Sequence, residues 1–162
     1  MEKKACSFTG HRKIKDGHRS KISALVARSI AYAYSHGCRT FYTGGAVGFD
    51  TVAAREVLRF RISNPDVRLV LLLPCTDQDK YWTAAQRSSY EYVLSAADEV
   101  VYVSEEYTDT CIKERNMHLA ERADILIAYL GHARSGSAQT VRMAENLGKE
   151  VYNLYPTLEK ED

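Results

Sequence analysis

The sequence has few prolines, one tryptophan and no long apolar run, and these shortages exclude several kinds of protein. With only 3 prolines among 162 residues, no proline-rich linker or low-complexity tract is present. An apolar run such as residues 69–73 is far shorter than the ~20 residues that a membrane-spanning helix needs. The first residues lead directly into a predicted strand without a secretory signal. We therefore expect a cytoplasmic protein with no membrane partner.

Neither the charged residues nor the histidines and cysteines form clusters that indicate a nucleic-acid or metal site. The 22 basic and 21 acidic residues nearly cancel, leaving a net charge of +1, so stable binding to bulk nucleic acid is not expected. The histidines lack metal-ligand spacing, and we predict neither a metal nor a cofactor. The cysteines are far apart and form no Cys-x-x-Cys pair, which indicates buried, reduced thiols; they are Cys6, Cys38, Cys75 and Cys111.

Short β-rich runs alternate with helical patterns along the chain. Strands are predicted at residues 5–9, 40–43, 68–73, 99–103, 125–129 and 150–154, with five helical stretches between them. Such alternation is typical of a parallel sheet, because parallel neighbours need a crossover connection. We predict one α/β domain over residues 1–162. It is a Rossmann-like three-layer sandwich whose mainly parallel sheet has about six strands and helices on both faces.

The loops at the two ends of the predicted strands differ in composition. Loops that lead into strands are ordinary turns, in which Gly37 and Gly148 end helices. Loops that follow strands are richer in glycine, hydroxyl and polar residues. Ligands bind at the carboxyl edge of open α/β sheets, near the point where the strand order reverses. The sequence therefore predicts a ligand site at that edge.

The loop after the second strand is rich in glycine and ends in an acid. Gly44, Gly45 and Gly48 let the backbone approach a ligand without a Cβ. A carboxylate at Asp50 would repel phosphate, so its ligand contact would be to ribose hydroxyls. A tight turn without a ligand, and a carboxylate stabilised by the helix dipole, are the structural alternatives.

Two further loops suit a phosphate. Gly136, Ser137 and Thr140 supply backbone N–H groups and hydroxyls at a helix start, although a plain serine cap explains the same pattern. After the first strand come Thr9-Gly10-His11-Arg12, where Arg12 can bind phosphate in a bidentate manner. His11 is either a general acid or base or only a hydrogen-bonding residue.

Aromatic and amide residues follow the third strand. Pro74 leads to Trp82, with Gln78 and Tyr81 between them, and these residues offer a plate on which a base can stack. An aromatic lid over the core is the alternative. Arg115 and Asn116 in the fourth helix could reach the same cleft, or could lie on a solvated helix face.

Five segments occur together in one order. They are residues 7–12, 44–50, 73–75, 115–116 and 136–141. This set resembles the YpsA-like branch of the SLOG superfamily, which is related to the DprA/SMF and LOG proteins, over residue 6 to about residue 156. The resemblance implies a Rossmann-like sheet and a nucleotide-built ligand, with ADP-ribose-like molecules proposed for the branch. It implies these pocket residues: Gly10, Arg12, Gly44, Gly45, Gly48, Asp50, Gly136, Ser137 and Thr140.

One departure from the LOG enzymes concerns catalysis. Their fifth loop has the pattern Pro-Gly-Gly-x-Gly-Thr-x-x-Glu with a catalytic Glu, and if Thr140 takes the Thr position, Met143 takes that of the Glu. A thioether cannot activate water, and no catalytic residue is assigned.

The leading hypothesis is therefore the binding or sensing of a nucleotide-derived small molecule. A hydrolase of the nucleotide N-glycosidic bond that uses Asp50, His11 or Glu56 is the first alternative. A DprA-like module that binds single-stranded nucleic acid is the second. Related Rossmann-like domains often pair, so a homodimer is compatible with the resemblance.

Overall fold

The computed structural model describes residues 3–160, which form a six-stranded parallel sheet with helices on both faces. The strand order is β4-β3-β2-β1-β5-β6, so it reverses between β1 and β5. This confirms the predicted Rossmann-like α/β fold, and each predicted strand coincides with an observed one. The strands are β1 (Lys4–Gly10), β2 (Cys38–Thr43), β3 (Arg68–Leu73), β4 (Glu99–Tyr102), β5 (Ile125–Tyr129) and β6 (Glu150–Asn153).

Helices connect successive strands, and a short one follows the last strand. They are α1 (Ile22–Ser35), α2 (Phe49–Ser63), α3 (Ala84–Ala96), α4 (Cys111–Arg122), α5 (Gly136–Asn146) and α6 (Tyr155–Lys160). The sequence did not predict α6, whose second residue is Pro156. Proline is tolerated in the first turn of a helix, where its missing N–H costs no hydrogen bond.

The core lies on both faces of the sheet. Phe8, Phe41 and Leu71 belong to a large buried cluster with side chains of α1, α2, α3 and α6. Val70 and Leu72 face the other way and pack with Leu119 of α4. The apolar strand β3 is therefore buried on both faces, as its sequence predicts.

This topology brings the loops that follow β1 to β5 to one edge of the sheet. The crossover from β4 to β5 also places α4 against β1 and β3, on the face opposite α1 to α3. The four cysteines are buried, as predicted. Within residues 3–160, no helix has the length and apolar character to cross a membrane.

Candidate ligand-binding cavity

A cavity of about 670 Å³ opens at the carboxyl edge of the sheet. Its volume lies in the range of small-molecule binding sites. Every loop that follows β1 to β5, together with α4, contributes to its walls. The lining residues include Thr9, Gly10, His11, Arg12, Ala46, Asp50, Pro74, Gln78, Tyr81, Trp82, Tyr107, Ile112, Arg115, Asn116, Ser135, Gly136 and Ser137.

Arg115 extends from α4 to the β2–α2 loop. Its side chain is 8% exposed, and its Nη1 donates to the carbonyl of Gly44 at 2.6 Å. Its Nε donates to Oδ1 of Asn116 at 2.9 Å. Burial lowers the pKa of Arg115 and the nearby carboxyl of Asp50 opposes that effect, but a guanidinium stays protonated. The cavity therefore has a buried positive charge in its wall.

Asp50 lies in the first turn of α2 and is 5% exposed. Its Oδ2 accepts a hydrogen bond from the Ala46 N–H at 3.2 Å, whereas its Oδ1 is buried and has no partner among residues 3–160. Burial raises the pKa of Asp50 to about 6, although Arg115, the Ala46 N–H and Arg12 act in the opposite direction. Buried polar atoms are nearly always hydrogen-bonded. This unpartnered oxygen, called the orphan oxygen below, is therefore the atom of the cavity wall that most clearly has a hydrogen bond left to accept from a ligand.

The start of α5 supplies donors to the same cavity. Ser135 is the helix cap, and its Oγ accepts from the Ala138 N–H at 3.1 Å. The backbone N–H groups of Gly136 and Ser137 donate to no acceptor in the described part of the chain. Free N–H groups and the positive end of the helix dipole favour an anion. The serine cap is thus observed, and it leaves these two N–H groups free for the predicted anion.

His11 joins the β1–α1 and β5–α5 loops. Its backbone N–H donates to the Tyr129 carbonyl at 3.2 Å, and its Nε2 accepts from the Gly131 N–H at 2.7 Å. Burial and, second, the neighbouring His132 lower the pKa of His11. An acceptor role for Nε2 requires a neutral ring protonated on Nδ1. This bond favours the hydrogen-bonding interpretation of His11 over the acid or base interpretation.

Aromatic side chains form the outer part of the cavity. Trp82 packs edge-on against Tyr90 with ring centroids 5.0 Å apart, and the Arg12 guanidinium lies 6.0 Å from the centroid of the Trp82 ring. Tyr81 and Tyr107 are 89% and 62% exposed although both line the cavity. Exposed aromatic faces beside a cavity are suited to stacking on a base.

Most residues predicted from the sequence come together around this cavity. Those that line it are Thr9, Gly10, His11, Arg12, Asp50, Pro74, Trp82, Arg115, Asn116, Gly136 and Ser137. The residues that do not line it are Gly44, Gly45, Gly48 and Thr140.

For Gly45, Gly48 and Thr140 the reason is packing within the protein. A Cβ at Gly45, whose φ is +67°, would lie 2.5 Å from the Leu73 side chain, and one at Gly48, whose φ is +82°, would lie 2.2 Å from the Arg12 carbonyl oxygen. Thr140 is fully buried, and its hydroxyl donates to the Gly136 carbonyl at 3.1 Å. These residues shape the loops behind the cavity wall.

The β4–α4 loop, which no sequence pattern singled out, contributes Tyr107 to the cavity. Ile112 comes from the first turn of α4. That loop contains no glycine, but its position after a strand was a readable signal. Glu56 and Met143 do not line the cavity. Glu56 forms an ion pair with Arg59 at 3.1 Å, and Met143 packs beside the buried cluster of Ala120, Leu126 and Ala144.

Several solved structures share this fold. The DNA processing protein A of Streptococcus pneumoniae aligns with a TM-score of 0.67 and 18% identity, over 93% of this chain and 50% of that protein. The DNA processing protein A of Helicobacter pylori, which binds single-stranded DNA, aligns with a TM-score of 0.64 and 20% identity, over 91% of this chain and 63% of that protein. This chain therefore spans only about half to two thirds of these structural relatives.

Sequence comparison identifies relatives of similar length. The SPbeta prophage-derived protein YoqJ of Bacillus subtilis (strain 168) is 26% identical in an alignment 158 residues long, and the match covers 89% of this chain and 88% of YoqJ. The model of the YspA SLOG family, YpsA, matches residues 8–156. A match over nearly the whole described fold, including every loop around the cavity, shows that this chain belongs to the YspA SLOG family.

Proposed function

We propose that this protein binds or senses a nucleotide-derived small molecule, either ADP-ribose-like or a nucleoside phosphate, in the cavity at the carboxyl edge of the sheet. The observation that carries the proposal is the buried Oδ1 of Asp50, which has no partner in the described chain. A carboxylate oxygen in that state is suited to accept hydrogen bonds from ribose hydroxyls.

The other walls of the cavity support the remaining parts of such a ligand. The free N–H groups of Gly136 and Ser137 suit a phosphate, and Arg12, whose guanidinium can bind phosphate, lines the same cavity. Trp82 and the exposed Tyr81 and Tyr107 suit a base. This arrangement matches the three chemical parts of a nucleotide to three separate walls.

The test is calorimetry with AMP and ADP-ribose on the wild type and three variants. Asp50→Asn and Arg12→Ala should each weaken binding by about tenfold, for the loss of one charged contact. Ser137→Ala should weaken it less, because the variant loses a hydroxyl and keeps the backbone N–H. Arg68→Ala is the control, since Arg68 is exposed and begins β3 at the opposite edge of the sheet. If all three cavity variants bound AMP and ADP-ribose as tightly as the control variant, the assignment of the ligand to this cavity would be wrong.

Hydrolysis of a nucleotide N-glycosidic bond is a second candidate, and the raised pKa of Asp50 favours it. A carboxyl with a pKa of about 6 can act as a general acid or base near neutral pH. Incubation with nucleoside monophosphates and ADP-ribose, followed by chromatography for free base, decides between binding and cleavage. Release of base by the wild type but not by Asp50→Asn would favour the hydrolase.

Binding of single-stranded nucleic acid is a third candidate, and the Helicobacter pylori structural relative favours it. It predicts binding that weakens steeply with salt, because phosphate contacts release counterions. Titration of an oligothymidylate at two salt concentrations tests this directly. The net charge of +1 makes us expect weak binding.

A further inference from the structure

A second cavity of about 730 Å³ adjoins the first and has no role in the function proposed above. The two cavities share His11, Arg12 and Ser135. The second lies between the β1–α1 loop, the β5–α5 loop and the start of α6. Its other lining residues are Lys13, Lys15, Asp16, Gly17, Tyr129, Gly131, His132 and Tyr155.

The second cavity combines aromatic rings with positive charge. His132 stacks on His11 with ring centroids 4.3 Å apart and planes 10° from parallel. Tyr155 packs closely on the β5–α5 loop, where a Cβ at Gly131 would lie 2.5 Å from its ring. Lys13 is exposed and lines the cavity. Aromatic faces beside basic side chains are the combination on which proteins bind nucleotide units.

Other polar groups of the second cavity already have partners. Lys15 forms an ion pair with Glu159. The Tyr129 hydroxyl accepts from the Lys15 backbone N–H at 3.1 Å and lies 2.7 Å from Nδ1 of His18. Asp16 forms an ion pair with Arg19 at 3.3 Å. The groups left for a ligand are therefore the exposed ring of His132 and the charges of Lys13 and Arg12.

We propose that the second cavity binds a second nucleoside phosphate unit, so that the ligand of this protein is a dinucleotide whose linking phosphates lie at the junction of the two cavities. This inference rests on the proposed function of the first cavity. The junction contains Arg12 and adjoins the free N–H groups of Gly136 and Ser137, which suit linking phosphates. Each cavity has a volume in the range of a small-molecule site.

The charge distribution favours a dinucleotide over a longer strand. The β3–α3 and β4–α4 loops at the outer side of the first cavity have more acidic than basic residues, although Lys80 lines the cavity together with Asp77. The two loops meet where the Glu105 carbonyl accepts from the hydroxyl and the N–H of Thr76, at 2.7 and 3.3 Å. Glu106 and Asp109 are exposed in the same β4–α4 loop. A polyanion that continued beyond the first cavity would meet these carboxylates, and like charges repel. A molecule that ends at the base in the first cavity avoids them.

The test compares AMP with diadenosine pyrophosphate, in which two adenosines are joined through two phosphates. The dinucleotide should bind about tenfold or more tightly than AMP, since stacking of one further base is worth ~1–3 kcal/mol and 1.4 kcal/mol is a factor of ten. Lys13→Ala combined with His132→Ala should remove that advantage and leave AMP binding unchanged. Arg68→Ala combined with His36→Ala, which removes similar side chains at the other edge of the sheet, is the matched control.

The outcomes separate the two proposals. AMP binding that depends on Asp50, with a dinucleotide that binds no more tightly, would overturn the inference and retain the proposed function. The inference would also be overturned if the double variant of Lys13 and His132 bound the dinucleotide as tightly as the wild type does. Absence of binding by AMP, ADP-ribose and the dinucleotide alike would overturn both proposals. Tight binding of a short oligothymidylate that depends on Lys13 and His132, without dinucleotide binding, would assign the second cavity to single-stranded nucleic acid and overturn the inference.

Discussion

The guanidinium of Arg115 occupies the place where a side chain at Gly44 would begin. A Cβ at residue 44 would lie 2.5 Å from Nη1 and 2.9 Å from Cζ of Arg115, and the same Nη1 donates to the Gly44 carbonyl at 2.6 Å. The glycine is thus required by an arginine of α4, and the pair joins the β2–α2 loop to the helix on the opposite face of the sheet.

Gly44→Ala should destabilise the protein because the new methyl group displaces a buried guanidinium and its hydrogen bonds. Overpacking of this kind costs about 1–3 kcal/mol, which chemical denaturation measures as a lower midpoint. Gly17→Ala is the matched control, since a Cβ there meets nothing within 4 Å. Equal stability of the two variants would contradict the tight fit between Gly44 and Arg115.

Asp50→Asn should stabilise the protein at neutral pH while it weakens ligand binding. Burial raises the pKa of Asp50 from 3.8 to about 6, so the folded state holds the proton more tightly than the unfolded state. The wild type therefore loses stability as pH rises between these two values, and the loss persists at higher pH.

Asparagine carries no charge and avoids that loss. The free energy of unfolding of Asp50→Asn should exceed that of the wild type by at most about 3 kcal/mol at pH 7, since one pKa unit corresponds to 1.36 kcal/mol. This difference should vanish near pH 4. Thermal unfolding of both proteins across this pH range checks the sign. A difference that does not change with pH would show that Asp50 is not the titrating group.

Trp82 should report binding by its fluorescence, because it is the only tryptophan in the chain and lines the first cavity. A base stacked on the indole should quench the emission, and Trp82→Phe should bind nucleotide with little change because it keeps a stacking face. Trp82→Ala should weaken binding by about tenfold. Quenching of Trp82 without any loss of affinity in the alanine variant would place the base elsewhere.

His11 should titrate below its ordinary pKa of 6.5 because of its burial and its neighbour His132. Nitrogen NMR should show a neutral ring protonated on Nδ1 at pH 7, since Nε2 accepts from Gly131. As the pH falls through that pKa, Nε2 is protonated and the Gly131 N–H loses its acceptor. Hydrogen exchange at Gly131 should then slow less with falling pH than exchange at other amides does. His11→Ala should show fast exchange at Gly131 at all pH values, and slow exchange in that variant would contradict the link.

The order and type of most elements could be read from local patterns. The continuous apolar run of β3 predicted a strand buried on both faces, and Gly37 and Gly148, with φ of +100° and +73°, follow α1 and α5 as the sequence indicated. The short helix α6 was missed because six residues that begin Tyr-Pro have little helical signal of their own. Leu158 of α6 is buried in the core, so packing stabilises what propensity alone does not.

The amino-acid sequence by itself determined which loops reach the carboxyl edge, because alternation of strands and helices leaves few topologies and places every strand end on the same side. It therefore predicted Asp50, Arg12, Trp82 and Ser137 as neighbours. Only the tertiary structure decided what each glycine faces. Gly44 meets Arg115, which is 71 residues away in the chain, and local sequence carries no information about a contact that forms only when α4 packs across the sheet. For the same reason, the orphan oxygen of Asp50 and the second cavity could be found only in the folded chain.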